Sequence, residues 1–285
     1  MLRLELLPLE RVSSVLEELA SAIDVLDDVA KQSLLPRFDA SDVDAALEIV
    51  REWRTRRLDV RAVFDPSYPS NLRGIYNKPP LLFVQGCWDD ARDSVALAIV
   101  GTRSASDAGL RRAADAARKA VRSGLTVLSG MAAGIDTAAH TAALDANGRT
   151  VAVIGTGIDR VFPPENRALR DRIVASGGAV LSQFFPAQPP AKWSFPMRNV
   201  VMSGLAMATL VIEAGETSGA KKQARAALEH GRPVFLPKSL VDEHAWAHKM
   251  VTTGEHGVRA LQVDSVDEVM ERLTAVPSLH DAIAV

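Results

Sequence analysis

The chain has 285 residues, 47% of them hydrophobic and 24% charged, which is the composition of a globular protein rather than a disordered one. A formal net charge of −2 excludes a globally basic nucleic-acid binder, so any contact with a polyanion must come from a local patch. The single cysteine, Cys87, excludes an internal disulfide framework and a cysteine-based zinc cluster. Met1-Leu2-Arg3-Leu4-Glu5 carries an acid early and no apolar signal core, and no apolar run approaches the roughly 18 residues of a membrane span; a cytoplasmic location with no membrane partner is expected.

In chain order, residues 1–57 read as a small helical domain. Leu16, Leu19, Ile23 and Leu26 recur at helical spacing, as do Val43, Leu47 and Val50 after a break at Pro36. Ser41 followed by Asp44 marks a helix start, and Arg51 to Arg57 is charge-rich, as in a solvated segment or linker. Turn-forming clusters follow at residues 65–69 and 77–80.

Residues 58–285 read as an α/β domain. Short apolar runs at 81–85, 95–100, 125–128, 150–154, 179–182, 208–213 and 233–236 alternate with helical stretches near 107–122, 136–146, 165–176, 199–206 and 219–230. Near-continuous Val/Ile/Leu strands joined by helical crossovers predict a parallel sheet covered on both faces, a doubly wound Rossmann-like fold. In such sheets ligands bind beyond the carboxyl ends of the strands, so the loops there carry the function.

The most informative loop is Ser129-Gly130-Met131-Ala132-Ala133-Gly134-Ile135-Asp136, a strand end of small residues that opens a helix. Unpaired amides and the positive end of a helix dipole suit a phosphate, which Ser129, Gly130, Ala132 and Gly134 are expected to hold. Asp136 and His140, one turn apart, are read as structural, since two such groups alone make neither a metal site nor a catalytic dyad. Arg103, in Gly101-Thr102-Arg103, reads equally as a phosphate clamp or as a surface arginine paired with Asp107.

Gly155-Thr156-Gly157 starts like a dinucleotide fingerprint but fails it. The sixth position is Arg160, and Phe162-Pro163-Pro164 breaks the helix that should follow. Gly155 and Gly157 are therefore expected to permit close approach of a ligand or of backbone. The stretch 192–199 interleaves Lys192, Trp193, Phe195, Arg198 and Asn199, a mixture that suits single-stranded nucleic acid. Taken alone it reads better as aromatics packed on the sheet, and the nucleic-acid signal gains weight because it precedes another strand-end loop. After the strand at 208–213 come Glu213 and then Ser218-Gly219, a capped helix start open to a ligand. Lys221, Lys222 and Arg225 on that helix read as a solvated charged face.

These residues resemble the DprA/Smf family of DNA-processing proteins. The match begins at Tyr68-Pro69 and Leu72, continues through residues 79–86, and runs to about residue 240. Its core is Gly101-Thr102-Arg103 with Ser106 and Gly109, the 129–136 turn with Ala139-His140 and Ala143-Leu144, and Gly155-x-Gly157-Ile158-Asp159. Phe195-Pro196-x-Arg198-Asn199, Glu213-Ala214 with Ser218-Gly219, and Gly231-Arg232-Pro233-Val234-Phe235 complete it. The resemblance implies a protein that binds single-stranded DNA, protects it during natural transformation and loads a RecA-type recombinase, as a homodimer and without evident catalysis or cofactor. Carried onto this sequence, Arg103 with the Ser129-Gly130 turn would hold phosphates, Phe195, Arg198 and Asn199 would line a DNA pocket, and Ser218-Gly219 would add donors. The chain departs from the family pattern at Val200, Gln183, Gln223, Lys238, Trp246 and His248. A second reading, a nucleotide sensor or nucleoside-monophosphate hydrolase, would pair Glu213 as an acid with Arg103 as a clamp. The Pro-Gly-Gly-x-Gly-Thr loop of such hydrolases is absent.

Overall fold

The structure, a computed structural model, describes residues 40–255 and 257–275, with side chains described from Asp44 onward. The helical spacing read at Leu16 to Leu26 lies outside the described residues. Among the described residues the chain divides into two compact units, one up to residue 68 with 80–82, the other of residues 69–79 and from 83 on. The first contains the helix Ala40–Thr55, which buries Leu47, Val50 and Trp53, and the short strand β1, Asp59–Ala62. The helix runs through the charge-rich segment as far as Thr55, where i,i+3 and i,i+4 pairs (Arg51 to Glu48 and Arg56 to Glu52) reward helical spacing.

The second unit is a doubly wound sheet. Its strands are β2 (Leu81–Gly86, from Phe83 in this unit), β3 (Ala96–Val100), β4 (Thr126–Ser129), β5 (Thr150–Val153), β6 (Ala179–Ser182), β7 (Ala208–Val211), β8 (Val234–Pro237) and β9 (Leu261–Val263). They lie in the order β2-β6-β5-β4-β3-β7-β8-β9. Every pair from β6 to β9 is parallel, and β2 runs antiparallel on β6 with Phe83 opposite Ser182. The central strands are buried at every position, and apart from Thr126, Ser129, Thr150, Ser182 and Thr209 they consist of apolar residues, as a sheet covered on both faces requires. On one face, Ala113, Ala116, Ala117 and Ala120 of the helix Asp107–Arg122 recur at helical spacing and are fully buried in a cluster with Leu97, Ile99, Val127 and Leu210. Alanine there lets the helix lie close to the sheet. No helix of the described residues is long and apolar enough to cross a membrane.

From β3 the chain winds outward through β4, β5 and β6, then returns to lay β7 on the other side of β3 and continues to β8 and β9. The strand order therefore reverses between β3 and β7, and in a parallel sheet the crevice beyond that point is where ligands bind.

The amino-terminal ends of the strands are tied by a buried ion pair. Arg149 grips Asp93 with two parallel bonds, Nε to Oδ1 and Nη2 to Oδ2, each 2.6 Å. The same guanidinium donates to the Cys87 carbonyl (2.6 Å), while the Asp93 carboxylate, fully buried, also accepts from Thr126 Oγ1 (3.1 Å) and Asp89 N (2.9 Å). With both groups saturated, removing one leaves the other charged and unpaired. Arg149→Ala is expected to lower the unfolding free energy by about 3–5 kcal/mol, read from urea denaturation midpoints.

Candidate functional site

A cleft of about 380 Å³ opens at the reversal point, walled by the loop after β3, the turn after β4, the helix Ser194–Leu205 and the start of the helix Gly219–Glu229. Four of its side chains are cationic: Arg103, Lys192, Arg198 and Lys222. None has an ion-pair partner within 4.0 Å among the described residues, and Asp136 is the acid on the wall.

Arg198 is the buried member, 7% exposed. Its Nη1 donates to the Val153 carbonyl at the end of β5 (2.8 Å), and its Nε donates to Asn199 Oδ1 (3.1 Å). A side chain at Gly130 would place a Cβ 1.7 Å from Arg198 Nη1, so this glycine exists to make room for the guanidinium. Burial pulls the Arg198 pKa below its ordinary value, the Asp136 carboxylate opposes that, and the charge of Arg103 adds to it. An arginine in such a setting keeps its proton and wants an anion. Asp136 is the converse. Burial raises its pKa, and Arg198 with the amide of Ala132 (3.3 Å to Oδ2) pulls it back down.

Arg103 is exposed, and its guanidinium lies over the Phe195 ring, 5.0 Å from the centroid. Its loop is wedged in place. Thr102 N donates to the Glu213 carbonyl (2.7 Å), and Gly134, at φ 79°, lies so close that a Cβ would meet the Thr102 and Arg103 carbonyls at 2.5 and 2.6 Å. Asn199 Nδ2 donates to the Gly219 carbonyl (3.2 Å), coupling the two helices that frame the cleft. Ser218 caps the second of these, accepting from Ala220 N (3.2 Å), and nothing lies within 4 Å of where a Gly219 Cβ would be, so that helix start stands open.

Of the residues singled out in the sequence, Arg103, Ala132, Lys192, Phe195, Arg198, Asn199, Ser218 and Gly219 come together on the cleft wall. The others serve it from behind or lie elsewhere. The Ser129 hydroxyl, fully buried, donates to the Ile99 carbonyl (2.6 Å), and the Ala132 amide of its turn is spent on Asp136, the chain's own anion. Ser106 and Glu213 satisfy each other. The Glu213 carboxylate accepts from Ser106 N (3.1 Å) and from its hydroxyl (2.7 Å), sits 3.8 Å from Arg112, and so fills the start of the helix Asp107–Arg122. Arg103 is not paired with Asp107. Gly155 abuts the Phe195 ring, and Gly157 lies against the Phe185 and Pro186 carbonyls.

Sequence reasoning missed three contributors. Asn166, buried, donates to the Met131 carbonyl (2.8 Å) and to Thr137 Oγ1 (2.9 Å), tying the segment after β5 to the turn after β4. The Ser194 hydroxyl donates to the Gly155 carbonyl (2.5 Å) and so seats Phe195 beside it. Gln223, in the amide orientation that satisfies both groups, donates to the Asn199 carbonyl (3.0 Å) and accepts from Ser203 N (3.2 Å), bridging a turn of the helix Ser194–Leu205. All three act across long sequence separations, and although Gln223 stands out as a departure from the family pattern, nothing in the sequence marks the groups these residues bond to. Trp246, another departure from the family pattern, is buried beneath Lys221, whose ammonium lies 5.8 Å from its ring.

Residues 59–274 match the family described as DNA recombination-mediator protein A. The chain belongs to this family. It is 39% identical over 219 residues to Protein Smf of Synechocystis, covering 75% of this chain and 54% of that one. It is 34% identical over 226 residues to DNA processing protein DprA of Bacillus subtilis, covering 79% of this chain and 75% of the relative. It thus spans about half the length of the first relative and three quarters of the second. Among solved structures, DprA of Streptococcus pneumoniae superposes with a TM-score of 0.68 at 32% identity, over 88% of this chain and 90% of that one. A Helicobacter pylori DprA structure, described in terms of its single-stranded DNA binding mode, shares the fold with a TM-score of 0.66 at 22% identity, over 79% and 97% of the two chains.

Gly130→Ala forces the Arg198 guanidinium off the Val153 carbonyl, and a loss on the order of 3 kcal/mol in stability is expected, measured by denaturant unfolding. His140, fully buried, has its pKa lowered from 6.5 to about 3 by burial. The Thr150 hydroxyl donates to the Val127 carbonyl (2.8 Å), so its oxygen accepts from the neutral His140 Nδ1–H (2.7 Å). A depressed folded value means that His140 favours the fold above pH 6.5 and that this contribution is lost as pH falls from 6.5 towards 3. Replacing it by Leu should flatten the decline in unfolding free energy across that window, by up to about 1.4 kcal/mol per pH unit. Urea titrations of both proteins at several pH values read the difference.

Proposed function

We propose that this chain binds single-stranded DNA in the cleft between the β3 and β7 loops. In that reading it serves DNA uptake in natural transformation, shielding the strand and passing it to a RecA-type recombinase, as a cytoplasmic homodimer. The observation that carries the binding is the placement of Arg103 over Phe195 beside the buried Arg198. Cations without carboxylate partners suit phosphates, and a ring among them suits a base, the combination by which single strands are held without regard to sequence. Arg103 and Arg198 repel each other, so an anion between them relieves a cost already present in the free protein. The open start of the helix Gly219–Glu229 adds backbone donors and a favourable dipole. The DprA relatives are named for DNA processing, which supports the same direction. Protection of the strand, recombinase loading and pairing of two chains are what the family resemblance implies.

Binding is favoured over hydrolysis of a nucleotide. Glu213, the acid that hydrolysis would call on, is held by Ser106 and Arg112 at the start of another helix, so it does not pair with Arg103 as an acid with its clamp.

Fluorescence titration of a labelled thymidine oligomer at a series of salt concentrations tests the reading. If three or four phosphates are neutralised, log K should fall with log[salt] at a slope of roughly −2 to −3. Arg103→Ala should weaken the complex by about 1–3 kcal/mol, the range for losing a charge-assisted bond. An affinity indifferent to both salt and Arg103 overturns it.

A further inference from the structure

Phe195 is not a free ring. The Arg103 guanidinium covers one of its faces at 5.0 Å, and Gly155 presses on its edge so closely that a Cβ there would stand 2.7 Å from Cδ1. A second aromatic stands next to it. Phe162 lies 5.7 Å from Phe195, centroid to centroid, with the two planes inclined at 46°. It is 38% exposed and lies just outside the cleft wall.

The segment that carries Phe162 is held at both ends. Behind it, Asn166 bonds to the Met131 carbonyl and to Thr137, within the turn and helix that also present Asp136 to the cleft. Ahead of it, Arg160 Nε donates to the Ala187 carbonyl (3.2 Å). Leaving a large ring partly in water gives up part of the free energy its burial would return. Here that ring is fixed at the rim of a cationic cleft, where it packs against Phe195, the ring that carries Arg103. The spacings of 5.0 and 5.7 Å are those of stacked or tilted π systems.

Resting on the DNA reading above, we infer that Phe162 is a second stacking platform, which receives a base of the nucleotide neighbouring the one whose phosphate sits between Arg103 and Arg198. Phe195, with one face covered by the guanidinium, keeps its other face for a base, and Phe162, 38% exposed, supplies further ring surface at the rim. A strand seated in the cleft must carry its next base out over that rim, whereas a lone nucleotide ends within the cleft. Phe162 therefore makes affinity depend on the length of the ligand.

The test compares wild type, Phe162→Ala and Phe162→Trp against a thymidine hexamer and against thymidine monophosphate, by calorimetry or fluorescence. Phe162→Ala should weaken the hexamer roughly 5- to 140-fold, the equivalent of one lost base stack, while the monophosphate stays within about twofold. Phe162→Trp should hold the hexamer at least as tightly as wild type. Equal losses for both ligands would show that the ring only props Phe195, and an unchanged hexamer affinity would take Phe162 out of the path; either overturns the inference while leaving the DNA reading intact. A wild-type protein that binds no hexamer overturns that reading, and this inference with it.

Discussion

A guanidinium taken out of water has to be met by acceptors and by opposite charge, or the fold that buries it does not persist. Arg198 is that group here, and much of the cleft can be understood as its accommodation. Val153 offers the carbonyl at the end of β5, Asn199 its amide oxygen, and Asp136 a carboxylate field across the cleft wall. Gly130 has no side chain because the guanidinium fills the space one would need. Asn199 in turn reaches the Gly219 carbonyl, and Asp136 draws in the Ala132 amide. Two strands and three helices are thereby keyed to one charge, which is itself left short of a full counter-ion.

The same electrostatics decide which helix starts remain available. Besides the helix Ser194–Leu205, three helices begin near the cleft, at Asp107, Ile135 and Gly219. The first receives the Glu213 carboxylate, and the turn that leads into the second gives its Ala132 amide to Asp136. The third has no acid in its first turn and no atom crowding Gly219. A helix dipole attracts whichever anion is nearest, internal or external, so a strand-end loop rich in glycine is a ligand site only where the chain has not filled it first.

Most of the sheet was legible because fully buried parallel strands are built mainly of Val, Ile, Leu and Ala, with only an occasional Thr or Ser. The runs read at 179–182 and 95–100 correspond to Ala179–Ser182 and Ala96–Val100. The helix expected to begin at residue 199 instead begins at Ser194. Pro196 reads as a breaker, yet in a first turn its missing N–H has no intrahelical partner to lose. The short strands β1 and β9 and the helices between Lys238 and Thr252 carry too brief a pattern to stand out from loop.

By itself, then, the sequence determined the doubly wound class, the family and the strand ends at which a ligand would be sought, because apolar periodicity and glycine placement are local properties. Only the tertiary structure decided which of those strand ends are open. That outcome depends on contacts between residues far apart in the chain, such as Glu213 on Ser106, Arg198 beside Gly130 and Asn166 on Met131. Each consumes a donor, an acceptor or a space that looks free when the segments are read one at a time.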